Sequence, residues 1–214
     1  MATGRQSLAA PRIPGDLEPA DAGVLEEDWV GLEVTGSLDV PVHRLDVEDC
    51  VVREVALTGA ALERLRATDV RFESCDLSGV DVERLDLLRV RFEGCRLRGL
   101  MAPGARLEDV SWVDCSLDEA CLSGSTGRRV SLERCSMVDC DLSRVALDGA
   151  VLRRCDLSGA DLVDARLPGA HLGGSTLERV RGAAGLRDVV IDDAQVVPLA
   201  HAVFASLGIV VDGP

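Results

Sequence analysis

The side chains best suited to chemistry are the cysteines, and five of the eight recur every twenty residues. Thiolates bind zinc and neighbouring thiols form disulfides, so a regular row of cysteines first suggests a metal or redox site. No histidine accompanies the row, however, and the neighbouring positions carry valine, alanine and leucine, among which a free cysteine packs as a small hydrophobic residue. We therefore predict a structural row without a metal or a cofactor. The row consists of Cys75, Cys95, Cys115, Cys135 and Cys155.

The other polar residues form no recognisable catalytic motif. His43, His171 and His201 are far apart in the sequence, and the motifs HExxH, GxSxG, GxGxxG and CxxC are absent from it. All 23 residues counted as Lys or Arg are arginine, which excludes mechanisms that need a lysine amine, such as a Schiff base or a Walker A phosphate loop. The sequence therefore predicts a protein without enzymatic activity.

Charge and hydropathy restrict the partners and the compartment. The formal net charge is −14, which disfavours direct binding to nucleic acid or to an anionic membrane, because both need an excess of cations. The sequence shows no secretory signal and no run of about 18 apolar residues that could cross a bilayer. We therefore expect a cytoplasmic protein with reduced thiols, and no direct contact with nucleic acid or membrane.

The cysteine row is one part of a repeat that organises most of the chain. Residues 70–174 align in rows of twenty without a gap, and inside each row the period is five. Every fifth residue from Val42 to Leu177 is a centre, and 25 of these 28 centres are large and apolar. The position two residues before each centre is small or apolar and holds seven of the eight cysteines. Cys121 is the exception and occupies an outward position, so we expect it to be the most reactive thiol.

A five-residue period fits neither a helix nor a flat strand, but it fits a chain that turns a corner every five residues. Units such as Cys75-Asp76-Leu77-Ser78-Gly79 resemble those of the pentapeptide-repeat family, in which A-(D/N)-L-x-x is the recurring motif. That resemblance implies an all-β, right-handed quadrilateral β-helix with about seven coils over residues 40–180. Side chains twenty residues apart would then stack in columns, including the cysteine row and a column of Phe72, Phe92 and Trp112.

The two ends of the repeat region are expected to be caps. Residues 1–39 would supply a leader and an irregular N-terminal cap, and residues 181–214 a C-terminal cap with a short α-helix. Asp192 or Asp193 can cap this helix, Pro198 would kink it or delay its start, and Gly208 would end it before a short strand at residues 209–211.

The apolar side of this helix has two alternative roles. It could only seal the last coil, or it could also pair with a second copy of the chain. The resemblance favours a homodimer, because related quinolone-resistance proteins of the family dimerise through C-terminal elements. The side consists of Val197, Ala200, Val203, Phe204 and Leu207.

The resemblance also implies a partner. The best-understood family members resemble B-form DNA in width and charge, bind DNA gyrase in place of DNA, and protect it from quinolones or inhibit it. No insertion interrupts the repeat here, so the sequence is most similar to loop-free members of that group. The side of the tube that we predict to bind such a partner carries Asp76, Asp118, Glu119, Asp139 and Asp156.

The charge of the tube argues for an alternative. Residues 40–180 contain 25 acidic residues and 19 arginines, whereas the same length of duplex DNA, roughly 34 Å, carries about 20 negative charges. Gyrase modulation by DNA mimicry is therefore one hypothesis. The other is a protein-interaction scaffold with an unknown partner and no topoisomerase role.

Overall fold

The five-residue units form the sides of a four-sided parallel β-helix. The computed structural model describes residues 7–38 and 42–209 and shows a β-solenoid of about six turns with one short C-terminal helix. Residues twenty apart lie side by side in adjacent coils, as Val70 and Val90 or Val110 and Val130 do. The predicted fold class is therefore confirmed, with about six turns where the sequence predicts seven.

The strands within the described residues all pair in parallel. The main sheet has the order β1-β3-β5-β7-β9-β10-β11-β12, with β2 on β4, β4 on β7, β13 on β11 and β6 on β8. The strands are β1 Glu18–Asp21, β2 Asp28–Val30, β3 Leu32–Thr35, β4 Arg44–Glu48, β5 Val51–Arg53, β6 Ala61–Leu62, β7 Arg64–Glu73, β8 Asp81–Val82, β9 Leu85–Glu93, β10 Arg106–Val113, β11 Thr126–Glu133, β12 Ala146–Asp148 and β13 Val151–Arg153.

We number the four sides of the tube in chain order. Side 1 contains residues 70–74, side 2 contains residues 75–79, side 3 contains residues 80–84 and side 4 contains residues 85–89, each with the residues twenty before and after. The last residue of a unit forms the corner to the next side, and at most corners its φ is positive, as at Asp69, Arg89, Asp109 and Arg129 on the corner between sides 4 and 1.

The core is a set of stacked columns rather than a layer between two sheets. On side 1 the rings of Phe72 and Phe92 stack with centroids 4.8 Å apart, and those of Phe92 and Trp112 with centroids 5.5 Å apart. Next to them the cysteine thiols donate to carbonyl oxygens of the preceding coil, for example Cys75 to Val52 at 3.3 Å. All eight cysteines are free. The repeated five-residue spacing thus places two inward side chains on each side of the tube.

The N-terminal end continues the parallel ladder upstream of residue 40, with shorter coils. Trp29 pairs with Val47 and Val34 with Val52, an offset of 18 residues instead of twenty. Trp29 is completely buried and plugs the tube. Strands β2 and β3 therefore lie where the sequence suggests an irregular cap, because the shorter coil breaks the five-residue frame without breaking the pairing.

The C-terminal end is closed by the helix α1, Val196–Ser206. A 3-10 turn at Asp193–Gln195 precedes it, so Pro198 lies in the first turn of α1, where a missing N–H costs nothing, and does not kink the helix. Gly208 follows with φ +72° and ends the helix. Val210 and Val211, two residues of the predicted strand, lie outside the described residues. No helix in the described part of the chain is long and apolar enough to span a membrane.

Candidate functional site

The cysteines are built into the core. The five-membered row is buried, and the described residues contain no group of three or more His, Cys, Asp or Glu side chains that could hold a metal ion. Burial is the main cause that raises the pKa of the Cys140 thiol to about 12. Cys121 is half-buried on side 3, and its thiol lies 3.7 Å from a carboxylate oxygen of Asp141.

Side 2 brings the five predicted acidic residues together, but local hydrogen bonds occupy several of them. Asp76 and Asp156 each accept the backbone N–H two residues ahead, at 3.0 Å, which is an Asx turn within the repeat unit. Asp118 accepts the N–H of Val138 in the next coil at 3.0 Å. These three carboxylates shape the turns and are partly withdrawn from solvent.

The two remaining acidic residues of side 2 are exposed. Glu119 forms an ion pair with Arg98 at 2.6 Å, whereas Asp139 has no ion pair with any other described residue and lies against Gly159. Side 2 therefore presents a mixed surface, with Arg96 and Arg98 among its carboxylates. That it binds a partner stays a prediction.

A denser set of exposed carboxylates lies at the N-terminal end, which we call the acidic end. Residues 16–33 contain seven acidic residues and no arginine. Glu33 forms an ion pair with Arg53, and the other six are exposed: Asp16, Glu18, Asp21, Glu26, Glu27 and Asp28. The repeat pattern could not predict this surface, because its residues lie outside the five-residue frame and are brought together by the pairing of β1 with β3.

The segment before β1 is an extended strap that runs along the corner between sides 4 and 1. The N–H of Ala9 donates to Asp109 at 2.8 Å, and the N–H of Arg12 donates to Asp69 at 2.9 Å. Asp109 and Asp69 are two coils apart, so three residues of strap span two coils. An extended chain rises about 3.3 Å per residue and coils are about 4.8 Å apart, which explains the match.

Arginines hold the carboxylates that bind the strap. Nε of Arg89 donates to Asp69, and Nε of Arg129 donates to Asp109, both at 2.6 Å, and a second nitrogen of each guanidinium contacts the other carboxylate oxygen. These hydrogen bonds are the main cause that lowers the pKa of both carboxyl groups below their usual value. The column thus alternates Asp, Arg, Asp, Arg over four coils.

The outer surface of side 4, together with its corner with side 3, forms a groove of about 860 Å³, which we call the arginine groove. It extends over six coils, about 24 Å at strand spacing, and six arginines line it together with three carboxylates. Its floor is the wall of side 4, where Leu88 and Ala146 are half-buried and the inward-facing Leu87, Leu107 and Leu147 are almost fully buried. The arginines are Arg64, Arg66, Arg84, Arg106, Arg128 and Arg166.

Only part of this positive charge is neutralised by the protein itself. Arg64 forms an ion pair with Asp46, and Arg106 with Asp86. Glu108, in the groove, pairs with Arg129 at the neighbouring corner. The other four groove arginines form no ion pair with a described residue and are exposed: Arg66, Arg84, Arg128 and Arg166.

Helix α1 has one apolar side buried and another exposed. Leu199 packs against the last coil and is buried, with Ala202 and Val203 half-buried beside it. Helical spacing places four exposed residues and the half-buried Ala200 on a neighbouring stripe, which we call the α1 stripe. The predicted dimer face includes Val203, which is half-buried, and omits Leu199, which is the most buried residue of the helix. The α1 stripe consists of Val196, Val197, Ala200, Phe204 and Leu207.

Comparisons with known proteins agree with this architecture. A family model described as "Pentapeptide repeat region" matches residues 65–139, and one described as "Pentapeptide repeats (8 copies)" matches residues 135–174. Together they cover more than half of the chain. A search of curated proteins finds no match.

Solved structures of repeat proteins are similar at low identity. Full-length QnrB1, described as a plasmid-mediated fluoroquinolone resistance protein, is 18% identical, with a TM-score of 0.34, and the alignment covers 72% of this chain and 99% of that one. HetL, from the cyanobacterium Nostoc sp. strain PCC 7120, is 21% identical, with a TM-score of 0.27, and the alignment covers 76% of this chain and 86% of that one. From the family models and the twenty-residue ladder, the chain belongs to the pentapeptide-repeat family.

Proposed function

We propose that this protein is a non-catalytic, cytoplasmic binding module that acts through its outer surfaces and is a homodimer. The side chains that could take part in a reaction have structural roles in the tube. The cysteines of the row donate hydrogen bonds to backbone carbonyls, and Asp76 and Asp156 stabilise turns. The observation that carries the proposal is the α1 stripe, because contiguous exposed apolar side chains mark sites of protein association.

A second copy is the partner that the α1 stripe fits best. Val197 and Leu207 are 69% and 66% exposed, and Phe204 lies between them on the same side of the helix. Pairing two such helices about a twofold axis would bury identical apolar stripes against each other, as an isologous dimer interface does. The acidic ends of the two tubes would then lie far apart, which avoids repulsion between them.

Light scattering of the purified protein tests the dimer. The expected mass is twice the 22.7 kDa of one chain, and the double variant Phe204→Asp/Leu207→Asp should be monomeric, because it would bury four charges in the interface. Val24→Asp is the matched control, since Val24 is 81% exposed at the opposite end and its substitution should leave the dimer intact. A monomeric wild-type protein would contradict the proposal.

Modulation of DNA gyrase is a second candidate function, and the acidic end supports it. Five of its six exposed carboxylates lie in β1, in β2 or between them, and Asp16 lies two residues before β1, so all six lie at the first two coils, which occupy about 10 Å of the tube. Duplex DNA carries about six charges over that distance. The charge density of this end thus approaches that of DNA, whereas the mixed charges of the tube do not.

A supercoiling assay with and without a fluoroquinolone tests this candidate. We expect micromolar protein to inhibit gyrase or to protect it, and Glu26→Gln/Glu27→Gln to weaken the effect. The variant Glu119→Gln/Asp139→Asn removes the same charge from side 2, the face predicted from the sequence, and so compares the two faces directly. If only the side 2 variant loses activity, side 2 is the binding face; if the wild-type protein has no effect, gyrase is not the partner.

A further inference from the structure

We propose that the arginine groove binds an extended acidic peptide whose carboxylates are three residues apart. This site is separate from the α1 stripe and from the acidic end. The argument depends on three features of the groove: its unneutralised charge, its floor and the axial spacing of its arginines.

The charge of the groove is opposite to that of the molecule. The protein has a net charge of −14, yet four groove arginines form no ion pair with a described residue. Among the groove carboxylates, Asp86 and Glu108 already pair with arginines, which leaves Asp148. Guanidinium groups bind carboxylates with two parallel hydrogen bonds. A ligand with several carboxylates therefore fits this surface.

The floor favours a peptide over a nucleic acid strand. The outward-facing residues that line the groove include the half-buried Leu88 and Ala146 but no Phe, Trp or Tyr. Single-stranded nucleic acids bind largely by stacking their bases on aromatic rings, and this lining offers none. Aliphatic side chains of a peptide can pack on the same floor while its carboxylates reach the arginines.

The spacing of the arginines matches an extended chain that runs along the tube. Arg84, Arg128 and Arg166 belong to alternate coils, so consecutive members are about 9.6 Å apart along the axis. They differ in position across side 4, lying at its corner with side 3, at its fourth residue and at its second residue, but all three side chains line the same groove. Three residues of an extended chain cover about 10 Å. The strap on the neighbouring corner uses the same register, since Ala9 and Arg12 bind to Asp109 and Asp69, two coils apart.

Fluorescence anisotropy with a labelled seven-residue peptide tests the proposal. The peptide has Glu at its first, fourth and seventh positions and Val or Ala between them. We expect saturable binding that weakens as salt screens the charges. Arg84→Ser/Arg128→Ser should weaken it by about tenfold or more, because each loss removes a hydrogen bond between charged groups. No saturable binding to the wild-type protein would overturn the proposal.

Matched controls separate the groove from general charge effects. Arg153→Ser/Arg154→Ser removes two exposed arginines of side 1 that form no ion pair with a described residue, and it should leave the affinity unchanged. Phe204→Asp/Leu207→Asp should also bind the peptide, so failure of the dimer is distinguishable from failure of the groove. Equal losses in both arginine variants would overturn the proposal, as would tighter binding of an oligothymidylate or equal binding of a peptide with Glu at positions one, three and five.

Discussion

At its N-terminal end the tube is closed by strands and surrounded by negative charge, whereas at its C-terminal end it is closed by a helix with an exposed apolar stripe. The outermost strand, β1, carries Glu18, Pro19 and Asp21. Charges and proline on an edge strand oppose pairing with another sheet. At the other end, α1 covers the last coil and exposes Phe204 and Leu207. One end thus opposes pairing with another sheet, whereas the other leaves apolar side chains exposed.

The side chains that close the two ends also differ in size, and we expect substitution to alanine to lower the stability more at the N-terminal end. Trp29 is completely buried in the N-terminal coil, so Trp29→Ala should lower the free energy of unfolding by about 3–5 kcal/mol. Leu199 contacts the last coil at its margin, and Leu199→Ala should cost about 2 kcal/mol. Urea denaturation followed by circular dichroism measures both. A larger loss for Leu199→Ala would mean that the helix, and not the indole, is the more important plug.

A buried amide gives the C-terminal end its polar closure. Nε2 of Gln195 donates to the carbonyl oxygens of Leu172 and Ser175 at 2.7 and 2.6 Å, and its Oε1 accepts the N–H of Asp192 at 2.9 Å. Gln195→Met keeps the length of the side chain but leaves these groups unpaired, at a cost of about 2 kcal/mol. The same denaturation measurement applies. An unchanged stability would show that α1 closes the tube by apolar contact alone.

The strap should make the N-terminal region sensitive to acid. The pKa of Asp69 and of Asp109 is lowered in the folded protein, so their contribution is complete above the unfolded pKa of about 3.9 and is lost as the pH falls through the folded value. The amide NMR signals of Ala9 and Arg12 should therefore shift towards those of a free strap between pH 5 and pH 2.

Asp69→Asn supplies the control for this transition. The amide oxygen can still accept the N–H of Arg12, but it carries no charge for Arg89, so we expect a loss of about 1 kcal/mol and no transition of the Arg12 signal. If the strap signals do not shift at any pH below 3.9 at which the tube stays folded, contacts of its apolar side chains hold it instead.

The middle of the tube could be predicted from the sequence because every coil there has twenty residues. The register of Phe72 with Phe92 and of Phe92 with Trp112 follows directly from that period. At the ends the coils change length: Trp29 is 18 residues from its ladder partner, and His171 is 19 residues from Val190. A period of five cannot detect either coil, so the sequence predicted the C-terminal helix but not the strands of the N-terminal cap.

The binding surfaces were harder to predict than the fold. The arginine groove takes its side chains from six coils, and which arginines stay unpaired depends on partners such as Asp46 and Asp86. The strap joins Ala9 to a carboxylate 100 residues away, and nothing in the local sequence distinguishes Asp109 from the other aspartates of the repeat. Such contacts become visible only when the coils are stacked.

The two tryptophans give this protein optical reporters of its own. The sequence has no tyrosine and only two tryptophans; Trp29 lies in the N-terminal plug, and Trp112 stacks on Phe92 in the middle of the tube. In Trp29→Phe the intrinsic fluorescence would report the middle alone, and in Trp112→Phe the end alone. A solenoid held together by contacts between neighbouring coils can unravel from one end, and two separate emission transitions would reveal the order in which its coils are lost.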